Sequence, residues 1–211
     1  MNKCDTCGGC SQTKKKNLEG DKVTVDLLMD VLENNTMSMK NHANRVGTMS
    51  KWLAQYLGID SNLCDTIELA GRLHDIGMIK ISPSLFNKSD TLNDEDWKLL
   101  KKHPEYGFEI LNQYSELNEV AQIVLEHHEH FDGTGYPSGY LGNEIHLGAR
   151  IIGLCEAIDH MSTDKPYKDA SDFKMIEEEI RRKSGTHFDP WLVMHIKELM
   201  IVWQETFLVD A

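Results

Sequence analysis

Ten histidines stand among 211 residues, and the informative ones keep company with carboxylates. His74 is followed directly by Asp75 in the apolar stretch LHDIGMIKI, and His127 by His128 in HHEHFDGTGYP. Helical spacing sends several of these side chains inward. His42, Val46, Met49, Leu53 and Leu57 share one stripe, and Leu63, Ile67, Ala70 and His74 a second. Val120, Ile123 and Val124 lead on to His127 and His128, while Ile152, Glu156 and Asp159 share a face. His103 precedes Pro104 and so stands at a helix start, where a side chain reaches into a cleft.

Buried imidazoles and carboxylates without partners are costly to the fold. A metal centre removes the conflict, because it takes neutral imidazoles and ionised carboxylates. Imidazole and carboxylate without thiolate suit iron, manganese or zinc. The candidates outnumber the positions around one ion. Two ions bridged by Asp75 fit better, and a pair about 3.5–4 Å apart is a hydrolytic arrangement that polarises a phosphate and activates water. His130, His146, His160, His187 and His195 are expected to be ordinary histidines satisfied by hydrogen bonds.

The elements that must position these groups are helical. Apolar residues recur three and four apart over 23–33, 36–57, 60–74, 94–102, 104–113, 116–128, 147–162, 170–183 and 190–208, and no stretch alternates as a strand would. Asp189–Pro190 has the form of an N-cap followed by proline at the first helical position. Residues 1–20 are polar and are expected to form a short flexible tail, with residues 21–211 as one all-α helical-bundle domain. The net charge of −12 argues against a nucleic-acid polymer as partner. No run is long and apolar enough to suggest a membrane span or a signal peptide, so a cytoplasmic protein is expected. Cys4, Cys7 and Cys10 are spaced as in zinc or iron–sulfur sites, yet no fourth cysteine lies near them; Cys64 and Cys155 read as buried small hydrophobes.

Six segments together resemble the HD-GYP family, a branch of the HD phosphohydrolases: NHANRV, LHDIG, KHPEYGFEIL, HHEHFDGTGYP, EAIDHMSTDKPYK and SGTHFDP. They occur in the family's order and span roughly residues 30–205. The resemblance implies an all-helical domain with a two- or three-metal centre, usually iron, that hydrolyses cyclic di-GMP to the linear dinucleotide and often to GMP. It implies metal ligation by His42, His74, Asp75, His103, His127, His128 and Glu156, with Asp75 bridging. Asp159 would stand beside the bridging hydroxide as a polar helper. Tyr136, Lys165 and Lys168 would lie near the dinucleotide, and the loop around Tyr136 or the N-terminal tail offers a surface for a protein partner.

The sequence also departs from that pattern. Met78 takes the place of a phosphate-contacting lysine after HDIG, and Lys80, two residues on, would point elsewhere on a continuing helix. Lys165 replaces an arginine, with loss of its fork. Glu156 replaces an aspartate, and Ser38 stands where three-metal members carry a glutamate, so two ions are expected. Met78, Glu156 and Lys165 keep a second reading open: a module that retains metal and binds a cyclic dinucleotide with little or no turnover. Di-iron oxygen chemistry is a third, disfavoured by the polar GYP loop.

Overall fold

A computed structural model of the chain describes residues 27–28, 30–31, 37–82, 85, 92–163 and 173–207. The helices are α1 (Met37–Tyr56), α2 (Ser61–Leu73), α3 (Asp94–Leu100), α4 (His103–Leu111), α5 (Asn118–Glu126), α6 (Leu147–Ser162), α7 (Phe173–Arg182), α8 (Pro190–Val193) and α9 (Ile196–Phe207). Their starts are chemically marked. Asp60 accepts the amide of Asn62, Asn93 and Asp96 form a capping box, and Asp189 accepts the amide of Trp191 ahead of Pro190.

The expected all-α single domain is what is seen, with only isolated bridges and no sheet among the described residues. The predicted helix ends agree to within a few residues, with one exception. The stretch expected as one helix over 190–208 is two, with Met194 and His195 between them. Leu192 and Val193 before the break and Ile196, Leu199, Met200 and Trp203 after it are all buried. A bend that preserves both buried stripes leaves no mark in apolar periodicity. The expected tail (1–20) and most of the expected 23–33 helix lie outside the described residues.

The core is the meeting of α1, α2, α5 and α6, where Val46, Met49, Leu53, Ile67, Ala70, Leu73, Ile123, Val124, Ile151 and Ile152 are fully enclosed. Cys64 and Cys155 are buried as expected, and burial pushes the Cys155 thiol up to about 12. Two glycine contacts set the geometry of the site. A Cβ on Gly71 would lie 2.9 Å from the Cα of Gly47, so α1 and α2 cross with their backbones touching. A Cβ on Gly77, in the 3-10 turn Ile76–Lys80, would run into the carbonyl oxygen of His103 and the amide nitrogen of Gly107. That turn therefore lies flat against the start of α4 and brings Asp75 to His103.

Candidate metal centre

Three of the predicted ligands sit at helix junctions, and their backbone surroundings fix their protonation. His74 follows the end of α2, His127 follows the end of α5, and His103 opens α4 just after α3. Carbonyls in a last helical turn lack an intrahelical partner. The imidazoles supply one: Nδ1 of His74 donates to the Gly71 carbonyl (2.7 Å), Nδ1 of His103 to Leu100 (2.8 Å) and Nδ1 of His127 to Val124 (2.6 Å). A carbonyl has no proton to give, so Nδ1 carries it and Nε2 of the neutral ring presents a lone pair. His42 is oriented in the same way by a carboxylate, its Nδ1 lying 2.6 Å from Oδ2 of Asp159.

These Nε2 atoms meet. His42 and His74 are 3.2 Å apart at Nε2, and His103 and His127 3.1 Å. Two lone pairs face one another unless a proton or a metal ion lies against both. Burial pushes the pKa of His74 down and, with the neighbouring imidazoles, that of His127 and His128 well down, which disfavours the proton on these three rings, whereas the bond to Asp159 leaves His42 raised. Two nitrogens each about 2.1 Å from one ion, at a right angle, would be about 3 Å apart. The donor atoms fit metal ions.

Asp75 stands between the two imidazole pairs. Its Oδ2 is 3.4 Å from Nε2 of His74 and its Oδ1 3.5 Å from Nε2 of His103. Burial opposes its ionisation, but the surrounding His74, His103 and His42 outweigh that and hold the carboxyl far below its ordinary range. Donor atoms within 4.8 Å of one another form three sets: His42, His74 and Asp75; His103, His127 and His128; and His42, Glu156 and His160. Glu156 lies between histidines, Oε2 3.9 Å from Nδ1 of His128 and Oε1 3.8 Å from Nδ1 of His160. Each predicted ligand thus belongs to one of these sets. A cavity of about 220 Å³ opens beside them, lined by His127, His128, Glu156, His160, Lys183 and His187 among others.

A model of the HD domain matches residues 26–192, most of the chain. The chain belongs to the HD domain family. Its curated relatives are of the HD-GYP type. It is 34% identical to the 3'3'-cGAMP-specific phosphodiesterase 2 of Vibrio cholerae over 92% of this chain and 37% of that protein. It is 32% identical to the cyclic di-GMP phosphodiesterase of Thermotoga maritima over 80% of this chain and 46% of that protein. The chain thus spans less than half the length of these relatives. Among solved structures, Bd1817, a HDG"Y"P protein of Bdellovibrio bacteriovorus, superposes with a TM-score of 0.64 at 25% identity, over 81% of this chain and 53% of that one. The HD domain of L. monocytogenes PgpH in complex with cyclic di-AMP shares the fold, with a TM-score of 0.65 at 15% identity over 86% and 97% of the two chains.

Within this HD-GYP domain, Asp159 is 1% exposed and lies behind His42. It receives the His42 Nδ1 proton, and Arg45 donates to it through Nε and through Nη2 (2.9 Å). Burial raises the Asp159 carboxyl, but His42 and Arg45 outweigh that and hold it below its ordinary range. Burial also lowers His42, yet the bond to Asp159 and the nearby carboxylates leave its pKa raised. Arg45 was not among the sequence candidates. Its position three residues after His42, on the same helix face, was the available signal.

Tyr136 stacks on His128, with ring centroids 4.9 Å apart, and Lys101 Nζ lies over the Tyr136 ring, 5.2 Å from its centroid. Burial and the nearby carboxylates keep the phenol protonated. The loop carrying Tyr136 is fastened by Glu129, whose carboxylate accepts the amides of Ser138 (2.6 Å) and Gly139 (3.0 Å). Gly133 and Gly139 take positive φ values of 78° and 71° in that loop, where a side chain would be strained. Lys80 does not reach the centre: the chain turns after Asp75, but Nζ pairs with Glu109 at 2.7 Å over the ring of Tyr106. Lys165 and Lys168 lie outside the described residues. Of the five histidines expected to be satisfied by hydrogen bonds, His146 accepts the amide of Gly148 at the start of α6 and His130 bonds to Oγ1 of Thr134. His195 packs between Tyr56 and Trp191, and His187 stacks on His130 while its buried Nδ1 has no hydrogen-bond partner among the described residues. His160 is a member of the third donor set.

Proposed function

We propose that this HD-GYP domain is a metal-dependent phosphodiesterase that hydrolyses a cyclic dinucleotide, cyclic di-GMP in the first instance, to the linear dinucleotide and/or GMP in the cytoplasm. The observation that carries the reading is Asp75, a single carboxylate with one oxygen toward each of two imidazole pairs. Two ions, iron with manganese and zinc as alternatives, would be held by His42, His74 and Asp75 on one side and by His103, His127, His128 and the other oxygen of Asp75 on the opposite side, with Glu156 adjacent. When bound, such ions act as Lewis acids toward a phosphate and lower the pKa of water.

The chain's own residues supply orientation. The Gly71, Leu100 and Val124 carbonyls hold three rings with Nε2 inward, and Asp159 holds the fourth. Asp159 then acts through His42 rather than at the reacting phosphate, since its oxygens are engaged by His42 and Arg45. Tyr136, stacked on His128, and Lys101 over its ring place an aromatic group and a cation beside the centre, suited to a base and a phosphate. Lys165 and Lys168 add to that contact in this reading. The GYP loop also offers a surface to a protein partner.

The relatives' names support the substrate class, and the first of them names 3'3'-cGAMP, so both dinucleotides belong in the test. Protein loaded anaerobically with iron or manganese should cleave cyclic di-GMP to products resolved by chromatography, and His74→Ala or Asp75→Asn should abolish cleavage. Intact cyclic di-GMP and cGAMP after incubation with metal-replete protein would sink the enzymatic reading. One observation favours the second reading, a metal-retaining binding or sensing module. Met78 occupies the turn after Asp75 and Lys80 is tied to Glu109, so neither brings a cation to the centre. Titration showing dinucleotide binding without hydrolysis would decide for it.

A further inference from the structure

We infer that His160 is a metal ligand which, with Glu156, gives the cleft a third divalent-cation position on the outer side of His42. The inference rests on the reading of the cleft as a metal centre and goes beyond it in number and identity of ligands. The sequence expectation of two ions followed from Ser38, where three-metal relatives carry a glutamate one turn before His42. The structure brings a different donor, from α6 instead of α1, alongside His42.

Three observations place it there. Glu156 and His160 are one turn apart on α6 and therefore share a face. Their donor atoms, Oε1 and Nδ1, are 3.8 Å apart, a separation that one ion about 2.1 Å from each would span. The His160 ring also stacks on His42, with centroids 4.8 Å apart and planes within 12°, and His42, Glu156 and His160 each bring a donor within 4.8 Å of the others. The same His160 lines the cavity beside the centre, so a cation held there faces the space open to a ligand.

The bonding of His42 orders the three positions. Its Nδ1 is engaged by Asp159, which leaves Nε2, and that atom lies 3.2 Å from Nε2 of His74. One nitrogen binds one ion, so His42 serves the position it shares with His74 and Asp75. The outer position then has Glu156 and His160 as protein ligands, with water completing the set, and it is the weakest of the three. The His160 side chain is 47% exposed, which leaves room for those waters. The class of ion is the one that accepts mixed nitrogen and oxygen donors, Mn²⁺ or Fe²⁺. In a chain of net charge −12, a third cation adds local positive charge where an anionic ligand would enter.

The test is metal stoichiometry on the full chain, with no turnover required. Apo-protein is dialysed against rising free Mn²⁺ and the bound metal is counted by plasma mass spectrometry. Wild type should saturate at three ions per chain, the third binding at least tenfold more weakly than the first two. His160→Ala should saturate at two, with the first two affinities within twofold of wild type, and His160→Asp should restore a third. Saturation of wild type and His160→Ala at the same ratio would overturn the inference while leaving the two-ion centre standing. Failure of wild type to take up any ion would overturn the metal-centre reading as well.

Discussion

Replacing Asp159 with asparagine tests the arrangement behind the candidate metal ligands. The side chain keeps its shape and loses its charge. In the native protein one buried carboxylate accepts from His42 and from two nitrogens of Arg45, so the substitution touches two bonds at once. The first consequence concerns His42. An asparagine amide turned toward Nδ1 would force the opposite tautomer, with the proton on Nε2, and an oxygen turned toward it would be a weaker acceptor. Loss of an outer partner to a ligating histidine typically costs about 10–100-fold in metal affinity, or about 1.4–2.8 kcal/mol. The second consequence concerns Arg45. Breaking a buried ion pair costs about 3–5 kcal/mol, and the lower end applies because the Arg45 side chain is 23% exposed and regains water. At about 3 kcal/mol, Tm should fall by about 6–12 °C for a chain of this size. Competition titration of apo-protein against a chelator, above neutral pH, reads the first effect, and a thermal melt of the same sample reads the second. Arg45→Met separates them: it leaves the His42–Asp159 contact in place, so stability should fall while metal affinity drops by less than in Asp159→Asn. Metal affinity of Asp159→Asn within twofold of wild type would refute the argument that Asp159 sets the His42 ring.

Gly77→Ala should destabilise the protein by about 3 kcal/mol, the upper end for overpacking, because the new methyl meets the backbone of His103 and Gly107 rather than a side chain that can swing away; a denaturant melt unchanged from wild type would contradict it. The apo-protein should lose stability as pH falls below about 6.5. His74, His127 and His128 have folded pKa values below that of an unfolded histidine, so the unfolded chain gains the protons first. Their contribution is complete above that pH, and His42, whose pKa is raised, opposes it. Urea midpoints across the acid range check this, and a midpoint that climbs on acidification refutes it. Lys80→Ala should cost no more than about 1 kcal/mol and leave hydrolysis unchanged, since its partner is the exposed Glu109. Met78→Lys should instead raise turnover or tighten dinucleotide binding, measured by steady-state kinetics and titration; no change in either would remove Met78 as the weak point of the site.

The helices and the gathering of the candidate ligands were legible in the sequence for one reason: His42, His74 and His127 end stripes of apolar residues, and inward direction follows from spacing alone. What spacing does not carry is who stands opposite. Asp159 was seen as inward-facing, but its neighbours His42 and Arg45 come from a helix more than a hundred residues earlier, and only the α1–α6 packing reveals that they occupy its oxygens. His160 was passed over for the same reason, since its significance lies in Glu156 and His42 together. Lys80 shows the converse. A bend after Asp75 was the condition for it to reach the centre, and the bend exists, yet Glu109 takes the side chain. The division of 190–208 into two helices escaped because both pieces bury the same kind of residue.

The carbonyl bonds of His74, His103 and His127 each run to a residue three positions earlier in the same chain segment. The direction of each ring is therefore anchored within a four-residue junction. Core side chains can be exchanged, and helices can shift by small amounts to accommodate them, without rotating these imidazoles. An aim built into short segments travels with them through sequence drift. Three of the inward-facing nitrogens thus keep their aim for as long as these three junctions keep their form.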